Sequence, residues 1–503
     1  MNTTMLLEMA AESAADRTAV RTRGSGLSFG DLLTRARRLA TLLAGRGAER
    51  LGLVDLNSEA VPLCLFGAGA AGVPFAPMNY RLPDDQLRSI LERLSPALVV
   101  VGDGVAERVG PVDGVEMVGR DELLATLADD ATPVSDDLPF VDPEDTAVLL
   151  FTSGTTGEPK AAVLRHRHLT SYILGSVEYL GAGEDEAQLV SVPPYHIAGM
   201  ATILSSTFAG RRIVYLPGFD PEDWVTTLAE EQVTQAMVVP TMLGRILDVA
   251  EATGADLGSL RHLSYGGGRM PLELVRRTME TLPKVSLVNA YGLTETSSTI
   301  AVLGPDDHRD AFESDDPTVQ ARLGSVGMPL PTVEVEIRDA DGTLVPAGER
   351  GEIFVRGEQI SGEYLGRSLL DGEGWFATND AGYLDEAGYL FLDGRLDDVI
   401  VRGAENLSPG EIEDALRAHD SVVDAAVFGV PDDEWGEAVA AAVVPAEGAT
   451  VDGDELREHV RGLLRSTKAP RDVHVVDELP YNETGKLLRR VLRSELSGSG
   501  AAG

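Results

Sequence analysis

The apolar run Ala147-Val148-Leu149-Leu150-Phe151 passes directly into Thr152-Ser153-Gly154-Thr155-Thr156-Gly157-Glu158-Pro159-Lys160. A short apolar run of this kind predicts a buried strand. The glycines let consecutive backbone N–H groups converge on one point without a Cβ in the way, and the hydroxyls of Thr152, Ser153, Thr155 and Thr156 add donors. Lys160 supplies a mobile positive charge, so the loop predicts a polyphosphate cradle. A solvated Ser/Gly turn does not need this density of donors directly after an apolar strand. The loop is not a Walker A motif. Pro159 stands where the second glycine would fall, and Ala161 replaces the Ser/Thr that would hold magnesium.

The charge balance narrows the partners. With 42 Lys+Arg against 81 Asp+Glu the formal charge is −39. A nucleic-acid backbone or an anionic lipid surface would repel such a molecule, so neither is expected as a partner. An anionic small molecule must then be met by local cations and backbone dipoles. The length of 503 residues exceeds a single core and predicts several lobes, which 43% apolar residues can fill. The sole cysteine, Cys64, allows no intrachain disulfide and fits a reducing cytoplasm. Glu8, Glu12 and Asp16 interrupt the N-terminus without a basic segment, so no signal peptide is expected. The uncharged stretch 60–78 contains Pro62, Pro74 and Pro77 and reads as a buried helix followed by a strand, not a membrane span.

Ser28-Phe29-Gly30-Asp31 predicts a capping box opening a helix to about residue 45. Strands at 51–56 and 98–101 continue an alternating rhythm that argues for an α/β fold. Gly67-Ala68-Gly69-Ala70-Ala71-Gly72 satisfies G-x-G-x-x-G and raises the reading of an NAD-dependent oxidoreductase. Pro62 in the required strand and Pro74 and Pro77 in the required helix oppose it, so close helix packing is expected instead. Residues 102–146 are acidic and low in pattern, and a surface excursion is expected there.

Further segments carry chemistry. Val192-Pro193-Pro194-Tyr195-His196-Ile197-Ala198-Gly199-Met200 presents a lone histidine. Leu263-Ser264-Tyr265-Gly266-Gly267-Gly268-Arg269-Met270-Pro271 places bare backbone after a short strand, where a flat ligand can approach closely. Asn289-Ala290-Tyr291-Gly292-Leu293-Thr294-Glu295-Thr296 combines an amide, an aromatic face, a hydroxyl and a carboxylate. Trp375-Phe376-Ala377-Thr378-Asn379-Asp380 and Gly394-Arg395-Leu396-Asp397-Asp398 follow. Val401-Arg402-Gly403-Ala404-Glu405-Asn406 comes next, with Ser408 and Glu411 expected to cap the following helix. Leu479-Pro480-Tyr481-Asn482-Glu483-Thr484-Gly485-Lys486 comes last.

In content and order these segments resemble the signature motifs of the adenylate-forming superfamily: acyl-CoA synthetases, aryl-CoA ligases, luciferases and peptide-synthetase adenylation domains. The likeness spans nearly the whole chain and is strongest to acyl- and aryl-CoA ligases. It implies an α/β fold, with a large multi-lobed N-terminal domain of layered sheets and helices and a small mobile α+β C-terminal domain. The expected division is 1–394, a hinge at 395–398, a lid at 399–496 and a flexible tail at 497–503.

The resemblance also implies ATP, Mg2+ and coenzyme A as cofactors and a small carboxylic acid as substrate. Thr152, Ser153, Gly154, Thr155, Thr156, Gly157 and Lys160 would hold phosphates. Gly267, Gly268, Asn289, Ala290, Tyr291 and Gly292 would surround adenine and the acyl group, while Asp380 and Arg395 would take the ribose. Thr294 would meet the α-phosphate and Glu295 the metal. His196 would stand at the mouth of the carboxylate pocket, Lys486 would be the catalytic lysine and Asp397 the pivot. Arg81, Gly403 and Ala404 are the implied coenzyme A contacts; Ala404 and Asn379 each replace a glycine usual in the family. Arg269 occupies a position often small in relatives, so its role is open.

No aspartate lies between Ser191 and Ser205 to pair with an ammonium group, so the acid is expected to lack an α-amino group. Small residues at Ala198, Gly199, Gly266, Gly267, Gly268 and Ala290 predict a roomy apolar pocket, compatible with aryl, alicyclic or medium-chain acids. The implied activity is acid:CoA ligation through an acyl adenylate. The nearest alternative is an adenylating enzyme that hands its acyl group to a carrier protein or a partner enzyme.

Overall fold

The structure, a computed structural model, describes residues 1–135, 137–152, 159–402, 405–432, 435–481 and 487–496. Two large sheets dominate the first three quarters of the chain. The nine-stranded sheet runs in space Met328–Pro329, Ser298–Leu303, Ser286–Leu293, His262–Gly266, Gln235–Val238, Ala187–Val190, Arg212–Tyr215, Thr18–Thr22, Ser25–Ser28. Its interior is parallel and both of its ends are antiparallel. The eight-stranded sheet runs Arg367–Ser368, Glu363–Tyr364, Lys160–Arg165, Thr146–Thr152, Phe75–Pro77, Leu51–Val54, Ala97–Val101, Val115–Gly119.

The period-two alternation of the strands decides the layering. Leu51, Leu53, Leu98, Val100, Val148 and Leu150 face a core shared with Val190, Ile213 and Tyr215 of the other sheet. Val54, Val99, Val101 and Leu149 face the opposite way into a second core. Between the sheets lie the helices Thr3–Ala14, Phe29–Arg46, Ala60–Ala71 and Ile197–Ala209. Phe29–Arg46 begins with the Ser28/Asp31 capping box and ends at left-handed Gly47.

The glycine run 67–72 lies within and at the end of the helix Ala60–Ala71, not at a strand-to-helix turn. A Cβ at Gly67 would sit 2.7 Å from Leu39 Cδ2 on the neighbouring helix. Close packing accounts for that glycine, and the dinucleotide reading has no structural support. Residues 102–146 correct the expectation of a patternless excursion: they include the helix Val105–Val109, the strand Val115–Gly119 and the helix Arg120–Ala128. The strand pairs in parallel with Ala97–Val101 at the sheet edge. An edge strand needs only partial burial, and exposed Glu116 between Val115 and Met117 hid the pattern.

His166 and His168 are buried at the start of the helix His166–Ser176. His166 Nδ1 accepts from Thr3 N–H at 3.2 Å, and His168 Nδ1 accepts from Arg165 N–H at 3.2 Å. Burial lowers their pKa values to about 4 and about 3. The unfolded imidazoles protonate near the ordinary value of about 6.5, before the native ones can. Stability that is intact above that pH is therefore lost as the pH falls from about 6.5 towards about 4 for His166 and about 3 for His168. Chemical unfolding followed across this window is expected to show that decline, by at most about 3 kcal/mol for His166 and about 5 kcal/mol for His168. The slope should be shallower in His166→Asn and His168→Asn.

A four-stranded antiparallel sheet, Glu334–Arg338, Gly351–Arg356, Phe376–Leu384 and Leu390–Arg395, carries the chain towards its last quarter. The small C-terminal domain is built on Glu405–Leu407, Ile400–Arg402, Gly436–Pro445 and Val422–Asp432, with Asp472–Val475 beside Gly436–Pro445. Helices Pro409–Arg417 and Gly453–Leu463 cover one face and Arg489–Leu496 the other. Ser408 corrects a second expectation. It sits at the N-cap, but its side chain makes no cap bond. The hydroxyl instead donates to Asp393 O at 2.7 Å, tying this domain to the preceding sheet. Among the described residues no helix is long and apolar enough to cross a membrane.

Candidate active site

The hydroxyl-rich loop joins two antiparallel strands, Thr146–Thr152 and Lys160–Arg165, whose last pair is Thr152 with Lys160. Ser153, Gly154, Thr155, Thr156 and Gly157 lie outside the described residues. The base of the hairpin is braced: Arg93 donates to Pro159 O at 2.7 Å, and its guanidinium stands 5.5 Å from the Phe151 ring centroid.

Beside this base lies the short helical turn Thr294–Thr296, which follows the strand Ser286–Leu293. Gly292 is required there because a Cβ would overlap the Ser298 carbonyl oxygen. Thr296 Oγ1 closes the turn on Leu293 and Ser298. Glu295 is fixed at both ends: its carbonyl accepts from Ser361 N–H and Gly362 N–H, each at 2.9 Å, and its carboxylate accepts from the Tyr364 hydroxyl. Tyr364 pairs with Ala162 next to the hairpin, and Arg165 grips the adjacent Glu363 carboxylate through two nitrogens at 3.0 and 2.8 Å. Burial and the Glu295 charge push the Tyr364 hydroxyl up to about 12, so it remains a donor at neutral pH. Sequence reasoning missed Tyr364, because only the antiparallel return of residues 363–364 onto the hairpin brings it there.

A second cluster joins Tyr291, Asp380 and Arg395. The Tyr291 hydroxyl donates to Asp380 Oδ2 at 2.6 Å, and Arg395 Nε lies 3.1 Å from Asp380 Oδ1. Arg395 also donates to Thr378 O, and Thr378 Oγ1 accepts from Asp380 N–H at 3.1 Å. Asn379, which replaces a glycine of the family pattern, adopts φ 60°, a left-handed conformation that asparagine tolerates. It donates to Asp397 at 3.3 Å. Burial raises the Tyr291 pKa well above its ordinary range, reinforced by Asp380. Both carboxylate oxygens of Asp380 are thus engaged. Asn289 Nδ2 donates one of its two hydrogens to Ser325 O at 3.1 Å.

Strand His262–Gly266 pairs with Ser286–Leu293, so Gly266 lies opposite Ala290 and brings the glycine loop alongside Asn289, Ala290 and Tyr291. His196 is the N-cap of Ile197–Ala209. Burial lowers its pKa to about 4, so the ring is neutral at physiological pH. Its buried Nε2 has no hydrogen-bond partner among the described residues. An orphaned buried nitrogen invites a ligand atom. The ring stands 4.8 Å from Tyr195, which stands 5.8 Å from Tyr80, under Arg81 at 5.4 Å. An aromatic chain therefore links His196 to Arg81.

Gly403, Ala404 and Lys486 lie outside the described residues. Lys486 is flanked by Tyr481 and Leu487, which pair across an antiparallel bridge, and the Tyr481 hydroxyl donates to Asp424 at 2.8 Å. Exposed Trp435 stands beside Arg402, 5.8 Å from guanidinium to ring. Neither residue of this pair was singled out from the sequence.

Two family models match the chain. The AMP-binding enzyme model covers residues 7–365 and the AMP-binding enzyme C-terminal domain model covers 411–486. The chain belongs to the AMP-binding enzyme family. This AMP-binding enzyme is 34% identical to a feruloyl-CoA synthase of Amycolatopsis sp, over 95% of each chain. It is 31% identical to the fatty acid–[acyl-carrier-protein] ligase ScoC of Streptomyces coeruleorubidus, over 96% of this chain and 94% of that one. Its structure is similar to that of the O-succinylbenzoate coenzyme A synthetase of Bacillus subtilis in complex with ATP and magnesium ion. That match has a TM-score of 0.82, 28% identity and 98% coverage of both chains.

Proposed function

We propose that this AMP-binding enzyme is a cytoplasmic, ATP-dependent carboxylic acid:CoA ligase acting on a largely apolar acid without an α-amino group. The observation that carries the reading is Glu295 held by Tyr364 at the foot of the hydroxyl-rich hairpin. A single ordered carboxylate beside phosphate-binding donors is the set a magnesium nucleotide needs, because Mg2+ takes few protein carboxylates and keeps phosphate oxygens and water. When bound there, the ion would offset phosphate charge.

In the first half-reaction a carboxylate oxygen of the acid bonds to the α-phosphorus of ATP as the bond to pyrophosphate breaks. Both reactants are anions, so this chain's task is to position them and neutralise charge. The loop 152–160 holds the β and γ phosphates, Thr294 meets the α-phosphate, Asp380 and Arg395 fix the ribose, and Tyr291, Asn289 and the glycine loop border adenine. Lys486 bridges carboxylate and α-phosphate, and neutral His196 offers Nε2 at the acid pocket. In the second half-reaction the domain at 399–496 turns about Asp397 and a thiol sulfur attacks the acyl carbonyl, releasing AMP. Coenzyme A is the thiol best supported. Arg81 and Arg402 would supply cations and exposed Trp435 a stacking face for its nucleotide, with Gly403 and Ala404 as the backbone contacts that the family resemblance implies.

The test is a panel of aryl, alicyclic and medium-chain acids scored by pyrophosphate release, followed by AMP release with and without coenzyme A. At least one acid is expected to release pyrophosphate, with AMP release stimulated by coenzyme A. Pyrophosphate release without coenzyme A-dependent AMP release would favour transfer to a carrier protein, the activity for which the ScoC relative is named.

A further inference from the structure

Arg269 sits in the glycine loop after the strand His262–Gly266, yet its side chain leaves the large domain. Nη2 donates to Asp414 Oδ2 at 2.6 Å, across to the helix Pro409–Arg417 that opens the C-terminal domain. The guanidinium passes over Gly410, one turn before Asp414 on the same helix. A Cβ built on Gly410 would fall on Arg269 Nη1 and come within 2.7 Å of Cζ. A glycine inside a helix is ordinarily unfavourable relative to alanine, and here its bare backbone makes the seat for the arginine. The same helix is anchored to the large domain by Ser408 on Asp393 O, and Arg350 pairs with Asp393 at 2.8 Å. Burial raises the pKa values of Asp393 and Asp414; Arg350 is the main cation opposing this at Asp393 and Arg269 at Asp414.

We propose that Arg269 is a positioning residue that latches the C-terminal domain, through Asp414 and over Gly410, to the glycine loop beside the acyl and adenine subsites. The proposal rests on the ligase reading in one respect: the two half-reactions need different orientations of the C-terminal domain. The latch stabilises the orientation seen here against the other. It also ties that orientation to the loop that a bound acyl adenylate would touch.

The test reads orientation directly. Spin labels at Glu280→Cys and Glu447→Cys, one exposed site on each domain, report an interdomain distance by pulsed electron resonance, and buried Cys64 can stay in place. Arg269→Ala and Asp414→Ala are each expected to shift the population of the main distance by about twofold to fivefold, the range of a partly exposed ion pair. The double variant should shift it no further than either single. Gly410→Ala, which keeps both charges and favours the helix, should reproduce the Arg269→Ala distribution and add nothing in its background. In the unlabelled enzyme the ratio of ATP–pyrophosphate exchange to thioester formation from supplied acyl adenylate should move by a similar factor. Unchanged distances in the single variants, or additive effects in the double, would overturn the latch. Absence of exchange with every acid would instead overturn the ligase reading, and the distances would still decide the latch.

Discussion

Lys486→Ala should reduce acid-dependent ATP–pyrophosphate exchange by about a hundredfold to a thousandfold, the scale expected when a charge-stabilising contact to a transition state is removed. The same variant should form thioester from supplied acyl adenylate and coenzyme A at close to the wild-type rate. The asymmetry follows from the charges. When the α-phosphorus is attacked, an anionic nucleophile approaches an anionic polyphosphate, and a mobile ammonium between them lowers the barrier. In the proposed thiol step the adenylate already exists, so the lysine is expected to have no further role at the reacting carbon. Rapid-quench measurement of each half-reaction separates the two. Equal loss in both, or loss in neither, would remove Lys486 from the adenylation step.

Much of the site was legible because its donors are local in sequence. The 152–160 loop, the 289–296 octet and the residues 378–380 each place several polar groups within a few positions of the sequence. Tyr364 was invisible for the opposite reason. It reaches Glu295 only because the strand Glu363–Tyr364 returns antiparallel onto Lys160–Arg165, a pairing set by Arg165 and Glu363 far apart in the chain. The Ser408 cap failed because the sequence pattern of an N-cap cannot show that Asp393 competes for the same hydroxyl. The contact of Asn289 with Ser325 was not legible either, because the two residues lie 36 positions apart in the chain. The strand Val115–Gly119 was missed because edge burial weakens the apolar alternation on which strand recognition depends.

Glu295→Gln and Tyr364→Phe should separate a metal ligand from a structural carboxylate. Gln preserves the shape of Glu295 and can still accept from Tyr364, but it removes the charge that Mg2+ requires, so adenylation should fall by about a hundredfold or more. Tyr364→Phe leaves the charge and removes the hydrogen bond that orients it. Loss of such an orienting partner typically costs about tenfold to a hundredfold in metal affinity or activity. Its effect should therefore appear as a raised magnesium requirement, partly overcome at high magnesium, with the KM for the acid little changed. Because the Tyr364 hydroxyl titrates only near about 12, the wild-type magnesium requirement should show no step from its ionisation between pH 7 and pH 9. A purely structural Glu295 predicts a different pattern. Both substitutions would then lower the unfolding midpoint and leave the magnesium dependence of exchange unchanged, because Glu295 would act only through Tyr364 and the Ser361 and Gly362 amides.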